Sequence, residues 1–369
     1  MVPRNLPAGL GQKAGLGYRL GQAPMNCPHD ATPEGASETM RTVYLMRQYG
    51  TARLDGEQLV VFQRDEEIER VGLPLLDQIL VMGNVQLSTP LLRACLQRRI
   101  PVVFVSQQGW CQGRLQPLDS AYRHRARYQV QLGEGERLVA ARRLISSKIA
   151  NGRVLLLRLT RRERPAEVAA TIERLRWHIE QASKARDSDR LRGIEGNAAA
   201  EYFWTLGVLL AGDGFPFLGR HRRPPTTGFD AVCGFGYALL WNAMMAHIEM
   251  HGLDPYEGVL HAGSPRHAAL VSDLIEPLRT LLVDPFNVWM IRTKRIQVDR
   301  DFDARGGGVF LSDDGRRLWL KSWGSYMGEL VTLDSGRRGP RWELLDQVVR
   351  AFVRYVYDPA AGLSLPMRR

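Results

Sequence analysis

The sequence predicts an α+β protein: a small, mostly β N-terminal domain followed by a larger α-helical domain that carries a short β-hairpin. Three observations predict it. Residues 40–117 hold short β-branched and apolar runs separated by turns, and residues 120–187 after them are almost free of Gly and Pro, with Leu, Ile and Ala at helical spacing. The length of 369 residues favours more than one core. The hydrophobic share of 44% and charged share of 24% are those of a globular chain, and no apolar run is read as a membrane span.

Residues 1–39 contain eleven Gly and Pro residues and a single aromatic, Tyr18, too little apolar surface to offset the entropy of ordering them. They are expected to be a disordered tail or the remnant of a fused neighbour. From Thr42 the runs 42–45, 52–54, 59–62 and 78–81 read as strands, Ser88–Arg98 as one helix capped by Ser88 or Thr89, and 102–105 as a further strand before a turn at Gly109. Residues 118–360 read as the helical domain, broken at Gly133, Gly135, Gly152 and Pro165. Helices are expected over 197–210, 237–251, 268–282 and 343–357, with a hairpin within 302–320 where glycines punctuate strand-like runs. Residues 361–369 are expected to be flexible.

Fifty Lys and Arg against 39 Asp and Glu give a net charge of +11, which favours a polyanionic partner such as nucleic acid. An Arg-rich, Lys-poor composition also follows from a GC-rich genome, so charge is supporting evidence. Basic clusters at Arg161–Arg164, Arg186–Arg192, Arg220–Arg223 and Arg292–Arg295 are spaced to follow a phosphate backbone. Arg220, Arg222, Arg223, Arg292 and Lys294 are the candidates for DNA contact. Cys27, Cys95, Cys111 and Cys233 are far apart and form no CxxC pair, which fits a reducing cytoplasm, and no secretory signal is read at the N-terminus.

Several acids and histidines admit two readings. Glu195 reads either as a capping acid at a helix start or as a ligand. His261 reads as a loop histidine or a ligand, and Asp273 with Glu276, at i and i+3, as a solvated helix face or a pair aimed into one cleft opposite the Leu274, Leu278 and Leu281 stripe. Tyr202 beside Phe203 reads as core or as catalytic. His247 and His251 stand at a zinc-like i, i+4 spacing, but no third ligand lies nearby in sequence.

Three segments together favour the ligand-side readings of Glu195, His261, Asp273 and Glu276 and leave Tyr202 open between core and catalytic: Gly193–Phe203 around Glu195, Gly252–His261, and Asp273–Arg279. They resemble the CRISPR adaptation integrases, the family called CRISPR-associated protein one, and the resemblance runs from about Met40 to Tyr357. It implies that Glu195, His261 and Glu276 bind Mg²⁺ or Mn²⁺ at the catalytic centre, with Asp273 on the neighbouring acidic position and Tyr202 beside it. It further implies a metal-dependent integrase that joins a short duplex prespacer to a repeat array by 3′-hydroxyl attack, works as a homodimer, and is bridged by CRISPR-associated protein two. The stretch Phe229–Tyr237 departs from the family pattern, being about three residues short and lacking an Asn, which bears on the packing beside the metal helix. A branched-DNA endonuclease, a transposon-type integrase with the same site, and a non-catalytic architectural DNA-binding protein are the rival readings.

Overall fold

A computed structural model describes residues 42–367 except 46, 77, 106–110, 116–122, 218, 222–223, 265–266, 334–335 and 337. The expected tail over 1–39 lies outside the described residues, as does Cys27.

The first lobe is built from β1 (Thr42–Leu45), β2 (Thr51–Asp55), β3 (Gln58–Gln63), β4 (Glu66–Gly72), β5 (Gln78–Met82), β6 (Gln86–Leu87), α1 (Thr89–Gln97), β7 (Val102–Val105) and β8 (Cys111–Leu115). Ser88 caps α1 by accepting from the Leu91 amide. The strands form two four-stranded sheets, ordered β1-β5-β7-β8 and β4-β3-β2-β6. In the first sheet β1, β5 and β7 are parallel and β8 runs antiparallel at the edge. Strand β4 was not expected: it is almost wholly exposed and rich in Glu, so no apolar alternation announces it. Its hairpin turns through Arg64 and Asp65, both at positive φ, the handedness that tight hairpin turns require.

Strand β5 ties the lobes together. Ile79 and Val81 face the core of the first lobe, while Leu80 and Met82, with Val103 of β7, face the large helical core. Period-two alternation therefore serves two cores from one strand.

The second lobe begins with α2 (Arg123–Val130), α3 (Glu134–Leu159), α4 (Ala166–Ser183), α5 (Ser188–Leu210) and α6 (Gly228–Met250). Helix α3 starts after Gly133 and α4 after Pro165, as expected, but α3 runs unbroken through Gly152. There a Cβ would stand 3.1 Å from the Tyr202 ring, so the missing side chain lets α3 and α5 approach closely. Helix α5 begins nine residues earlier than expected, with Asp187 capping it through the Arg190 amide. Part of α6, Gly228–Glu249, is long and apolar enough to cross a membrane, but 78% of that window is buried inside the protein as a core helix.

The single helix expected over 268–282 is instead a broken path: α7 (Ala269–Leu274), α8 (Glu276–Leu278), a π-helical turn (Arg279–Val283) and α9 (Asp284–Arg292). Pro277 and Pro285 each lack an N–H and sit in the first turn of a new segment, and such breaks redirect side chains away from a single helical face. The chain closes with α10 (Val298–Asp301), the hairpin β9 (Phe302–Arg305) and β10 (Gly308–Leu311), α11 (Asp313–Gly328), β11 (Leu330–Thr332), β12 (Arg338–Pro340) and α12 (Glu343–Tyr357). The expectation of a flexible C-terminus is corrected for 361–367. Leu363 and Leu365 are buried in the large core, and the Leu363 and Pro366 carbonyls accept from Arg143 and Asn151 of α3.

Candidate metal centre

Glu195 lies in the middle of α5, not at its start, so the capping reading fails and its carboxylate is available for other work. Its partner is Lys148 of α3, whose ammonium pairs with Glu195 and stands 2.7 Å from Glu276 Oε2. Two acids from α5 and α8 thus converge on one cation. Burial alone would raise the Glu276 carboxyl, but Arg279 and Lys148 outweigh it and hold the group down at about 2. Glu276 Oε2 is buried and, despite the nearby ammonium, accepts no well-directed hydrogen bond.

His261 arrives on the irregular segment between α6 and α7. Its Nδ1 lies 2.5 Å from Asp273 Oδ1, which raises the imidazole's pKa, and its charge interacts with Glu276 across the site. With Nδ1 committed, Nε2 is the nitrogen left for a ligand. Asp273 has no solvent exposure and also accepts from the amides of Val259, Leu260 and His261. The expectation that Asp273 and Glu276 point into one cleft opposite the core is therefore corrected: both are buried, and the break at Ile275 sends Asp273 to the His261 loop and Glu276 to Lys148.

The donor set fits a hard divalent cation. Two carboxylates already share a positive charge, one buried carboxylate oxygen lacks a good donor, and one imidazole nitrogen is available. Among the described residues no three such groups stand close enough to chelate, and the Lys148 ammonium lies between the two acids.

Behind the acids runs a narrow cleft walled by Lys148, Glu195, Tyr202, Arg220, Tyr237 and Arg279. Tyr202 is buried, and its hydroxyl donates to Asp284 Oδ2 at 2.8 Å, while Tyr237 donates to Oδ1 at 2.5 Å. Arg220 is largely buried, bonds Asp230 and lies over the Phe203 and Tyr237 rings. Arg279 packs over the other side chain partner of that cleft, the Tyr237 ring, at 5.0 Å and approaches Glu276 at 3.4 Å. Arg292 reaches the Leu159 carbonyl and Asp213, and Lys294 is exposed just past α9. Arg222 and Arg223 lie outside the described residues.

Sequence reasoning missed Lys148 and the role of Arg279. Lys148 is one of only five lysines in a chain of 50 basic residues, and that rarity was the available signal. The histidine pair at 247 and 251 diverges. His247 is buried with neither ring nitrogen hydrogen-bonded, and burial lowers its pKa to about 4, whereas His251 bonds Asp346 at 2.8 Å. In the shortened stretch Phe229–Tyr237, Asn287 of α9 donates to Cys233 and accepts from Trp319, so a side-chain amide reaches it from another helix.

A family model described as CRISPR associated protein Cas1 matches residues 43–325. The CRISPR-associated endonuclease Cas1 2 of Rhodospirillum rubrum is 33% identical over 296 residues, which is 77% of this chain and 85% of that protein. Among solved structures, a chain of a Cas6-RT-Cas1–Cas2 complex aligns with a TM-score of 0.74 at 22% identity, covering 89% of this chain and 36% of the longer one. A casposase bound to integration product aligns with a TM-score of 0.72 at 20% identity, covering 88% of this chain and 93% of that one.

Proposed function

This chain belongs to the CRISPR-associated Cas1 family, and on that premise we propose that it is a metal-dependent integrase that inserts short duplex prespacers into a repeat array. The observation that carries the reading is the convergence of Glu195 and Glu276 on one cation beside His261. Glu195, Glu276 and His261 Nε2 would hold Mg²⁺ or Mn²⁺, which supplies Lewis-acid stabilisation of charge on phosphate and activation of a hydroxyl.

The chain's own residues prepare that chemistry. Glu276 is ionised across the working range of pH because Arg279 and Lys148 hold its proton off. Asp273 fixes the His261 ring through Nδ1. Arg279, whose buried Nε has no hydrogen-bond partner among the described residues, and Lys148 supply positive charge for a phosphodiester entering the cleft. In the transfer, a 3′-oxygen forms a new bond to phosphorus as the bond to the existing 3′-oxygen breaks, and the proton lost by the attacking hydroxyl is balanced by one gained at the leaving oxygen. One ester replaces another, so no external energy source is needed.

The solved assembly of similar fold containing Cas2, and the casposase on its integration product, support a DNA substrate and a Cas2 partner for this chain; its action as a homodimer is proposed from the family resemblance alone. The exposed Lys294 and Arg292 suit phosphate contacts. The relative's name, endonuclease, supports a second reading in which water replaces the 3′-hydroxyl at the same centre and branched DNA is cut.

A labelled 3′-hydroxyl duplex incubated with a repeat-bearing plasmid, with the partner protein and Mg²⁺, Mn²⁺ or chelator, separates the two by product: joined strands or cut ones. Glu195→Gln, Glu276→Gln and His261→Ala are each expected to lower joining about 1,000-fold, in keeping with about 4 kcal/mol of transition-state stabilisation, while DNA binding persists. Joining by His261→Ala at the wild-type rate would remove it from the centre, and joining that survives chelation would end the metal reading.

A further inference from the structure

Among its described residues, the segment that carries His261 has no helix or regular strand between His251 and Ala268, apart from one bridge between Ser264 and His267. Backbone groups held away from water must still find partners, and here side chains from other elements supply them. Asp273 takes the amides of Val259, Leu260 and His261. Arg137 donates to the Gly258 carbonyl at 2.7 Å and Arg192 to the Leu260 carbonyl at 3.0 Å.

At the other end of the loop stands Gln129, the second-last residue of α2 and 1% exposed. Its Nε2 donates to the Asp254 carbonyl at 2.9 Å and to the Glu257 carbonyl at 2.7 Å, while Oε1 accepts from the Asp254 amide at 2.8 Å. The side-chain amide thus engages the Asp254 peptide as a neighbouring strand would, and ties a second carbonyl three residues on. Both its donors and its acceptor are used, and water has no access to replace them.

We propose that Gln129 is a positioning residue of the metal centre: through residues 254–261 it sets where the His261 ring meets Glu276. The proposal rests on the metal-site reading above. Asp273 touches the His261 ring and Gln129 does not, so Gln129 acts through backbone alone. Its chemistry also has no close substitute. Glu keeps the shape but turns carboxylate oxygens on two carbonyls, and Met keeps the bulk but neither donates nor accepts strongly.

The test is Mn²⁺ titration of the full-length, DNA-free protein followed by electron paramagnetic resonance, with hydrogen exchange of the loop amides measured on the same samples. Glu276→Gln is expected to abolish the bound-ion signal. Gln129→Met is expected to weaken Mn²⁺ binding about 10-fold, the usual size of an outer-layer effect on metal affinity, with faster exchange confined to 254–261. Arg137→Gln, which removes the Gly258 tie together with the contact to Glu257 and the bonds to the Leu132, Gln129 and Val130 carbonyls, should weaken it by about threefold, below that range. Mn²⁺ affinity within about twofold of wild type in folded Gln129→Met would overturn the proposal. Should that variant fail to fold, Gln129→Glu, which keeps the shape and loses the two donors, takes its place, and Mn²⁺ affinity within about twofold of wild type there would overturn the proposal equally. If Glu276→Gln retains wild-type Mn²⁺ binding, the metal-site reading itself fails, and this inference falls with it.

Discussion

Glu276 and Asp284 lie on the same interrupted helical path, both almost without solvent contact, and their carboxyls move in opposite directions. Burial pushes Asp284 up to about 6, and the hydroxyls of Tyr237 and Tyr202 that donate to it, with smaller contributions from the charges of Arg220 and Arg279, recover only part of that shift. Burial pushes Glu276 up as well, yet it ends at about 2, because its neighbours are full charges, Arg279 and Lys148. The lesson concerns partner type. Neutral donors give a buried acid a structural task, here clasping the tyrosines of α5 and α6, whereas cations keep a buried acid charged and fit to hold a cation of another kind.

Lys148 is where the comparison breaks most visibly. Lys148→Met leaves Glu195 and Glu276 facing each other without their cation, and removing one partner of a buried ion pair costs about 3–5 kcal/mol. The variant is expected to unfold at lower temperature by that measure in chelator and to regain more stability from Mn²⁺ than wild type does. Thermal denaturation with and without Mn²⁺ checks this, and an equal Mn²⁺ response in both proteins would show that Lys148 does not occupy the metal's place.

Asp284 gives a smaller effect with a definite sign. Its folded-state pKa lies above the unfolded value, so the stability tied to its neutral form is fully present below about 4 and is lost as pH rises through about 6. Asp284→Asn has no proton to lose. The stability gap between wild type and Asp284→Asn should therefore shift in the variant's favour by about 3 kcal/mol between pH 4 and pH 7. Taking the difference cancels the opposite slope from His247, which is present in both proteins. Denaturant unfolding across that range measures it, and a gap independent of pH would mean that Asp284 is ionised throughout.

Much of this was legible in the sequence, and the illegible parts share a cause. The α+β class, the cap at Ser88, the helix boundaries at Gly133 and Pro165 and helix α12 followed from local signals that tertiary structure left alone. The segments that resemble the Cas1 family likewise marked Glu195, His261 and Glu276, which the fold brings around one charge centre. What stayed hidden depends on residues far apart in the chain. Lys148 acquires meaning only when α3 lies against α5 and α8, and Gly152 only when the Tyr202 ring fills its place. Gln129 looks like any polar residue on a short basic helix until the loop at 254–257 closes on it. The break at Ile275 was missed because i, i+3 spacing presumes a regular helix, and Pro277 with the π-helical turn removes that regularity.

The central claim is that Glu276, and not Asp284, is the charged acid of a metal centre. Carboxyl ¹³C resonances of protein labelled at Glu and Asp test it directly, followed through a pH titration and then through addition of Mn²⁺ at neutral pH. The account predicts that Glu276 stays ionised through the acid range down to about 2 and is broadened first by Mn²⁺, together with Glu195, while Asp284 titrates near about 6 and broadens later. Titration of Glu276 near its ordinary value, or broadening of Asp284 ahead of Glu276 and Glu195, would contradict it.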